Sequence, residues 1–141
     1  MAVEFDLSET INSPMEQVMA FFANVEDIPK HQPKMAKKVE IMEKSESAIK
    51  YKLEGKVMFK KIETVNSLAI DREGGKMVTD TLEGDGRGSK ITMTFTGKDG
   101  KTEVNLKGSM ELGALGSLGK GKVTSMWKEA MEQAKQVLEK K

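Results

Sequence analysis

Between residues 38 and 112, apolar side chains return at every second position and turn-forming glycines interrupt them, the pattern of a meander of half-buried antiparallel strands. Val39 and Ile41 alternate with Glu40 and Met42. Ile49, Tyr51 and Leu53 alternate with Lys50, Lys52 and Glu54. Val57 and Phe59 follow Gly55, and Val65, Leu68 and Ile70 continue into a longer strand with room for a bulge. Met77, Thr79 and Thr81 share one face of the next strand; Ile91, Met93 and Phe95 mark another, and Val104 and Leu106 the last. Three glycine-bearing breaks separate them, at 73–75, 84–88 and 98–101, and Asp99-Gly100 in the third is a two-residue hairpin signal. An earlier alternation, Val3, Phe5 and Leu7 against Glu4, Asp6 and Ser8, adds a leading strand and brings the expected number to seven.

Two helical signals flank the meander. After the first strand, Ser13, Pro14 and Glu16 have the spacing of a capped helix start, with Ser13 as N-cap and Glu16 closing a capping box. Val18, Met19, Phe21 and Phe22 give that short helix one apolar face, and Asn24, Pro29 and Pro33 keep the next segment short and broken. At the other end, Val123, Met126, Trp127, Ala130, Met131, Ala134, Val137 and Leu138 recur at three- and four-residue steps. A long helix with one apolar stripe must cover an apolar surface, and the sheet is the surface available. The expected class is therefore α+β: a seven-stranded antiparallel sheet wrapped around a long C-terminal helix, with two short helices after the first strand, in one domain over residues 1–141.

Composition narrows the function classes. The chain has no Cys and one His, which removes disulfides, thiolate chemistry and histidine clusters for metals. The net charge of +1 argues against nucleic acid as the main partner. No apolar run reaches the roughly 20 residues that span a bilayer, and the acidic N-terminus lacks the basic start of a signal peptide, so a soluble cytoplasmic protein is expected. Charge is uneven, however: residues 30–61 carry ten Lys and four Glu. Solvated lysines on outer strand faces, which discourage edge pairing, are the plainer reading. Transient contact with an anionic membrane surface is the sharper one.

Candidate chemistry is sparse. Gly116 to Lys122 fits the spacing of a phosphate-binding loop, but Val123 stands where Ser or Thr must hold magnesium, and no later strand supplies a metal-binding Asp. A flexible strand-to-helix connector is the better account. His31, in a Lys- and Pro-rich stretch, is expected in an exposed loop with no partner to orient it as a base. Asp80, Glu83 and Asp85 read as strand-end charges. The 11 methionines are more telling, because Met58, Met77, Met93, Met110, Met126 and Met131 fall on strands or the long helix, and soft side chains pad irregular or ligand-adaptive spaces.

The order of elements, together with the stretch INSPMEQVMAFFANVEDIPKHQPKM, resembles the START-like, or SRPBCC, superfamily with its helix-grip fold. Many members carry a Trp in this stretch, where Phe22 and His31 stand here. The closing GSMELGALGSLGKGKV is most similar to the subunit-G proteins associated with carbon monoxide dehydrogenase; polyketide-cyclase-like and coenzyme-Q-binding members are other neighbours. The resemblance implies a cavity between concave sheet and C-terminal helix that holds lipids, isoprenoids, quinones or polyketide-like molecules, with no family-wide catalytic residue and no cofactor. Tyr51, Phe59, Met77, Met93, Phe95 and Leu106 are expected to line the sheet wall, and Met126, Trp127 and Met131 the helix wall. Phe22 and the 28–36 segment are expected near the mouth. A polyketide cyclase/dehydratase-like enzyme, using an inward Asp80 or His31, and a protein-interaction module of the subunit-G or chaperone-activator kind remain open. The oligomeric state is not fixed by these residues.

Overall fold

The computed structural model describes residues 2–33, 36–57, 60–111 and 119–139. Strand β1 (Ala2–Ile11) is followed by helix α1 (Met15–Ala23), a 3₁₀ turn at Val25–Asp27 and the short helix α2 (Ile28–His31). Six strands then run in succession, β2 (Ala36–Lys44), β3 (Ala48–Val57), β4 (Lys60–Asp71), β5 (Lys76–Gly84), β6 (Lys90–Lys98) and β7 (Lys101–Glu111), before helix α3 (Gly119–Glu139). All pairings are antiparallel, in the order β1-β7-β6-β5-β4-β3-β2. The meander thus pairs each strand with the next, and β1 closes against the last.

Turn chemistry sets the registers. Asp99 and Gly100 both take positive φ, at 53° and 76°, while Lys98 pairs with Lys101. That is the two-residue primed turn whose twist suits a hairpin. Between β4 and β5 the register slips after Val65–Glu83 to Asn66–Thr81, which leaves Leu82 as the extra residue. The bulge sends Leu82 outward, where it is 42% exposed.

Ser13 departs from the expected capping box. The N-cap of α1 is Pro14, without a side-chain cap bond, and the Ser13 hydroxyl lies 3.0 Å from Gln17 Oε1, to which it donates. Ser13 is buried, and its carbonyl accepts a 2.7 Å bond from the hydroxyl of the equally buried Thr102. Ser13 is thus used to fasten the β1–α1 corner to β7, and burial of its carbonyl dictated that choice over a local cap.

Helix α3 lies closest to β1 and also touches α1. Val123, Ala130, Met131 and Ala134 are buried on its inner face, whereas Val137, expected on the same stripe, is 46% exposed. The Trp127 ring stacks on Phe5, with centroids 6.2 Å apart and planes 16° from parallel. Phe5 pairs directly with Gly108 across β1 and β7, and a Cβ at 108 would lie 2.5 Å from the Phe5 ring. The glycine lets that ring lie down on the sheet beneath the helix. Farther along, Lys135 pairs with Glu9 at 3.3 Å and the Asn12 amide donates to Glu139 at 2.8 Å. Because α3 is drawn to the β1 side, the inner face of β3, β4 and β5 lacks close helix cover.

Candidate functional site

The uncovered region is a cavity of about 230 Å³ between sheet and α3. Its sheet wall comes from the inward positions of β3 to β6: Tyr51 and Leu53, then Thr64, Asn66 and Leu68, then Met77, Thr79 and Thr81, then Ile91 and Met93. Helix α3 contributes Val123, Met126, Trp127 and Ala130. Phe21, Phe22, Val25, Ile28 and His31 form the third side.

Six of the ten residues expected to line the cavity do so: Phe22, Tyr51, Met77, Met93, Met126 and Trp127. Phe95, Leu106 and Met131 are buried but stand outside the wall. Phe95 packs behind Phe22, with ring centroids 6.1 Å apart. Leu106 and Met131 belong to the solid part of the core, where neither retains any exposure. They lie on the correct faces of their elements, but toward the half of the molecule that α3 covers closely. Phe59, like Met58, lies outside the described residues, as does part of the expected connector at 116–118; residues 119–122 belong to α3 itself. Of the expected mouth segment, Ile28, His31 and Gln32 reach the cavity.

His31 is a correction. It ends α2 half-buried, its ring 4.8 Å from that of Phe21 and on the cavity wall, because the broken helix folds back over the sheet instead of forming an exposed loop. Asp80, which the enzyme alternative would need on the inner face, is not there: Met77, Thr79 and Thr81 occupy the inward positions of β5, so the intervening Asp80 points to the other face. Asp85 and Glu111 do line the cavity. Asp85 is engaged structurally, since its carboxylate accepts the Glu63 amide at 2.9 Å and its own amide donates to the Glu63 carbonyl at 3.0 Å. Among the described residues, no three His, Asp or Glu gather to hold a metal ion.

The wall is not uniformly apolar, a feature the methionine pattern does not reveal. Tyr51 pairs with Asn66 and Asn66 with Thr81, so a polar row crosses β3, β4 and β5 on the concave face. The Thr81 hydroxyl donates to Asn66 Oδ1 at 2.8 Å, and Asn66 Nδ2 donates to Thr64 Oγ1 at 2.8 Å. Ser89 extends the row by accepting the Glu111 amide at 2.8 Å. Residue parity carries the signal: Asn66 has the same parity as Leu68 and Ile70, and an inward Asn between inward apolar residues marks a polar patch in the core.

Tyr51 is 6% exposed, and its hydroxyl bonds to no described residue. No buried side-chain oxygen or nitrogen among the described residues is sealed away without a partner, so this hydroxyl opens onto the cavity. Burial disfavours the phenolate and pushes the phenol's pKa from 10.0 up to about 12. As the protein's one tyrosine, it can be titrated alone by tyrosinate absorbance, with an expected midpoint near 12 in the folded protein against 10.0 unfolded. The unfolded chain releases this proton first, so stability is undiminished below pH 10 and falls as pH rises toward 12, by about 2–3 kcal/mol. Tyr51→Phe should remove that component of the alkaline decline. A midpoint at the ordinary value in folded protein would show the hydroxyl to be solvated.

A second depression, of about 450 Å³, is lined by Glu4, Asp6, Lys90 and Lys107 of the β1, β6 and β7 strands and by Lys120 at the start of α3. It is shallow and charged, and its larger volume reflects open access rather than enclosure. Among the described residues, no helix is long and apolar enough to cross a membrane.

No family model matches the sequence, and no curated protein does. Solved structures do. A START superfamily protein from Mycobacterium smegmatis superposes with a TM-score of 0.79 at 12% identity, over 96% of this chain and 97% of that one. Ara h 8.0201 matches over 100% of both chains, with a TM-score of 0.75 and 16% identity. The Zhui aromatase/cyclase from Streptomyces sp. R1128 gives 0.70 at 17% identity, over 79% of this chain and 68% of that one. At such identities the likeness is one of fold, and it agrees with the element order and the meander: this chain has the helix-grip fold, as these structures do.

Proposed function

We propose that the protein binds a compact hydrophobic small molecule between its sheet and α3. The observation that carries this reading is the cavity itself, walled mainly by apolar side chains, with polar residues on the sheet (Thr64, Asn66, Thr79, Thr81), on the α1–α2 side (Asn24, His31, Gln32) and on α3 (Gln133). Size refines the occupant. A cavity of about 150 Å³ admits one benzene, and drug-sized sites begin near 300 Å³. About 230 Å³ therefore suits a bicyclic molecule better than a whole sterol or a long acyl chain. The methionines at 77, 93, 110 and 126 give the wall some adaptability.

A second reading, an enzyme of the aromatase/cyclase kind, draws support from one of the similar structures and from His31, Asp85 and Glu111 in the wall. It requires one of them to reach the ligand's reacting carbon. An interaction module would need a contiguous apolar surface, and among the described residues the exposed large apolar side chains, Met42, Leu82 and Val137, sit on three different elements. Exposed lysines at 37, 38, 56, 60 and 61 would favour exchange of the ligand at an anionic membrane surface.

The test uses methyl-labelled methionine and 2-ethylnaphthalene, followed by NMR. At about 0.5 kcal/mol per heavy atom, a ligand of this size should bind with Kd of about 40 μM. Ring currents should shift the methyls of Met77, Met93, Met110 and Met126 saturably and leave exposed Met42 in place. Absence of a saturable shift, or a shift of Met42 alone, would sink the proposal.

A further inference from the structure

Resting on that reading, we infer that the occupant is a neutral molecule bearing a hydrogen-bond-accepting oxygen, of the aryl ketone or quinone class, and that the Tyr51 hydroxyl donates to this oxygen. Three observations converge. The hydroxyl belongs to a side chain 94% buried (6% exposed), opens onto the cavity and has no partner among the described residues. A hydroxyl that opens onto a mainly apolar cavity and finds no partner in the surrounding wall is left to water or to a ligand, and a ligand oxygen placed there takes over the bond that water would make.

The neighbouring polar groups decide what Tyr51 can meet. Asn66, directly across from it, accepts at Oδ1 from Thr81 and donates through Nδ2 to Thr64. An amide nitrogen has two N–H groups, so one donor remains on Asn66 beside the phenol donor. The row therefore offers a ligand hydrogen-bond donors above all. Charge weighs against an anionic ligand. Among the described residues the wall carries the carboxylates of Asp85 and Glu111 and the imidazole of His31 but neither Lys nor Arg, and a ligand carboxylate there would be desolvated beside like charges. A fatty acid or other carboxylate is thereby disfavoured and a neutral carbonyl favoured. Burial also keeps Tyr51 protonated, as a donor, through the whole neutral and mildly alkaline range.

Three probes of one shape separate these ideas: 2-acetylnaphthalene, its isosteric alkene 2-isopropenylnaphthalene, and 2-naphthoate. Each is titrated into wild-type protein and Tyr51→Phe by NMR or calorimetry. The ketone should lose roughly five- to tenfold in affinity on Tyr51→Phe, as expected for one neutral hydrogen bond, while the alkene holds its affinity within twofold. Naphthoate should bind wild type more weakly than the ketone. The carbonyl stretch of the bound ketone should lie at lower frequency in wild type than in the variant, a signature that loss of packing does not imitate. Tyr51→Phe removes one polar atom from the core and keeps the ring, so its melting curve should match or exceed wild type. Equal effects on ketone and alkene, no effect on either, or tightest binding of naphthoate would overturn the inference and leave the cavity reading standing. Failure of both neutral probes to bind wild type would overturn both.

Discussion

Ala130→Phe is expected to abolish binding of naphthalene-sized probes, a loss of at least 100-fold, while the protein melts within a few degrees of wild type. Ala130 lies on α3 with its methyl on the cavity wall. A benzene occupies a cavity of about 150 Å³, so one phenyl ring at this position takes about two thirds of the 230 Å³ available. No bicyclic ligand then fits without displacing the helix. The variant's own stability has opposing contributions. Filling a void recovers on the order of 1–2 kcal/mol, whereas Phe in place of Ala in a helix costs about 0.5 kcal/mol. Probe titration beside a thermal melt reads both quantities. Retained affinity with native stability would mean that ligands bind elsewhere.

Leu106→Ala should do the opposite, lowering stability by about 3 kcal/mol, close to 10 °C in Tm for a chain of this size, without moving probe affinity by more than twofold. Leu106 is fully buried on β7 and lies outside the cavity wall. Truncating it removes apolar contacts and opens a hole in the covered half of the core, which the paired strands β1 and β6 on either side cannot collapse to fill. A large change in affinity at unchanged stability would place Leu106 in the binding wall after all, and would mean that the cavity extends beneath β7.

Together these substitutions divide the space under α3 into a packed half and an open half, a division the sequence does not carry. Strict alternation identifies the concave face of each strand: Tyr51, Met77, Met93 and Leu106 all point inward as their parity requires. What alternation cannot tell is where along the strand a residue meets the helix. That depends on registers summed over successive turns, including the slip at Leu82, and on how α3 is held toward β1 by Phe5, Lys135 and Glu139. The pattern therefore places Phe95, Leu106 and Met131 on the right face and in the wrong half. Asn66 escapes notice for a different reason. Its parity with Leu68 and Ile70 points inward, but Val65, of the opposite parity, leaves the face of this stretch ambiguous until pairing with Tyr51 and Thr81 fixes it. His31 is misplaced by sequence because fold-back of a short proline-bearing helix is decided by tertiary packing against Phe21 and not by local propensity.

The missing side chain at Gly108 has one more consequence. Phe5 rests in the space a Cβ would take, and Trp127 rests on Phe5, yet of these three only Trp127 borders the cavity. Position 108 is thus a remote adjuster of ligand size. A methyl group there would lift the Phe5 ring, the ring would lift the indole, and the chamber would grow shallower although none of its own lining had changed. Selectivity among related helix-grip chambers can accordingly drift through residues that a survey of ligand contacts would pass over.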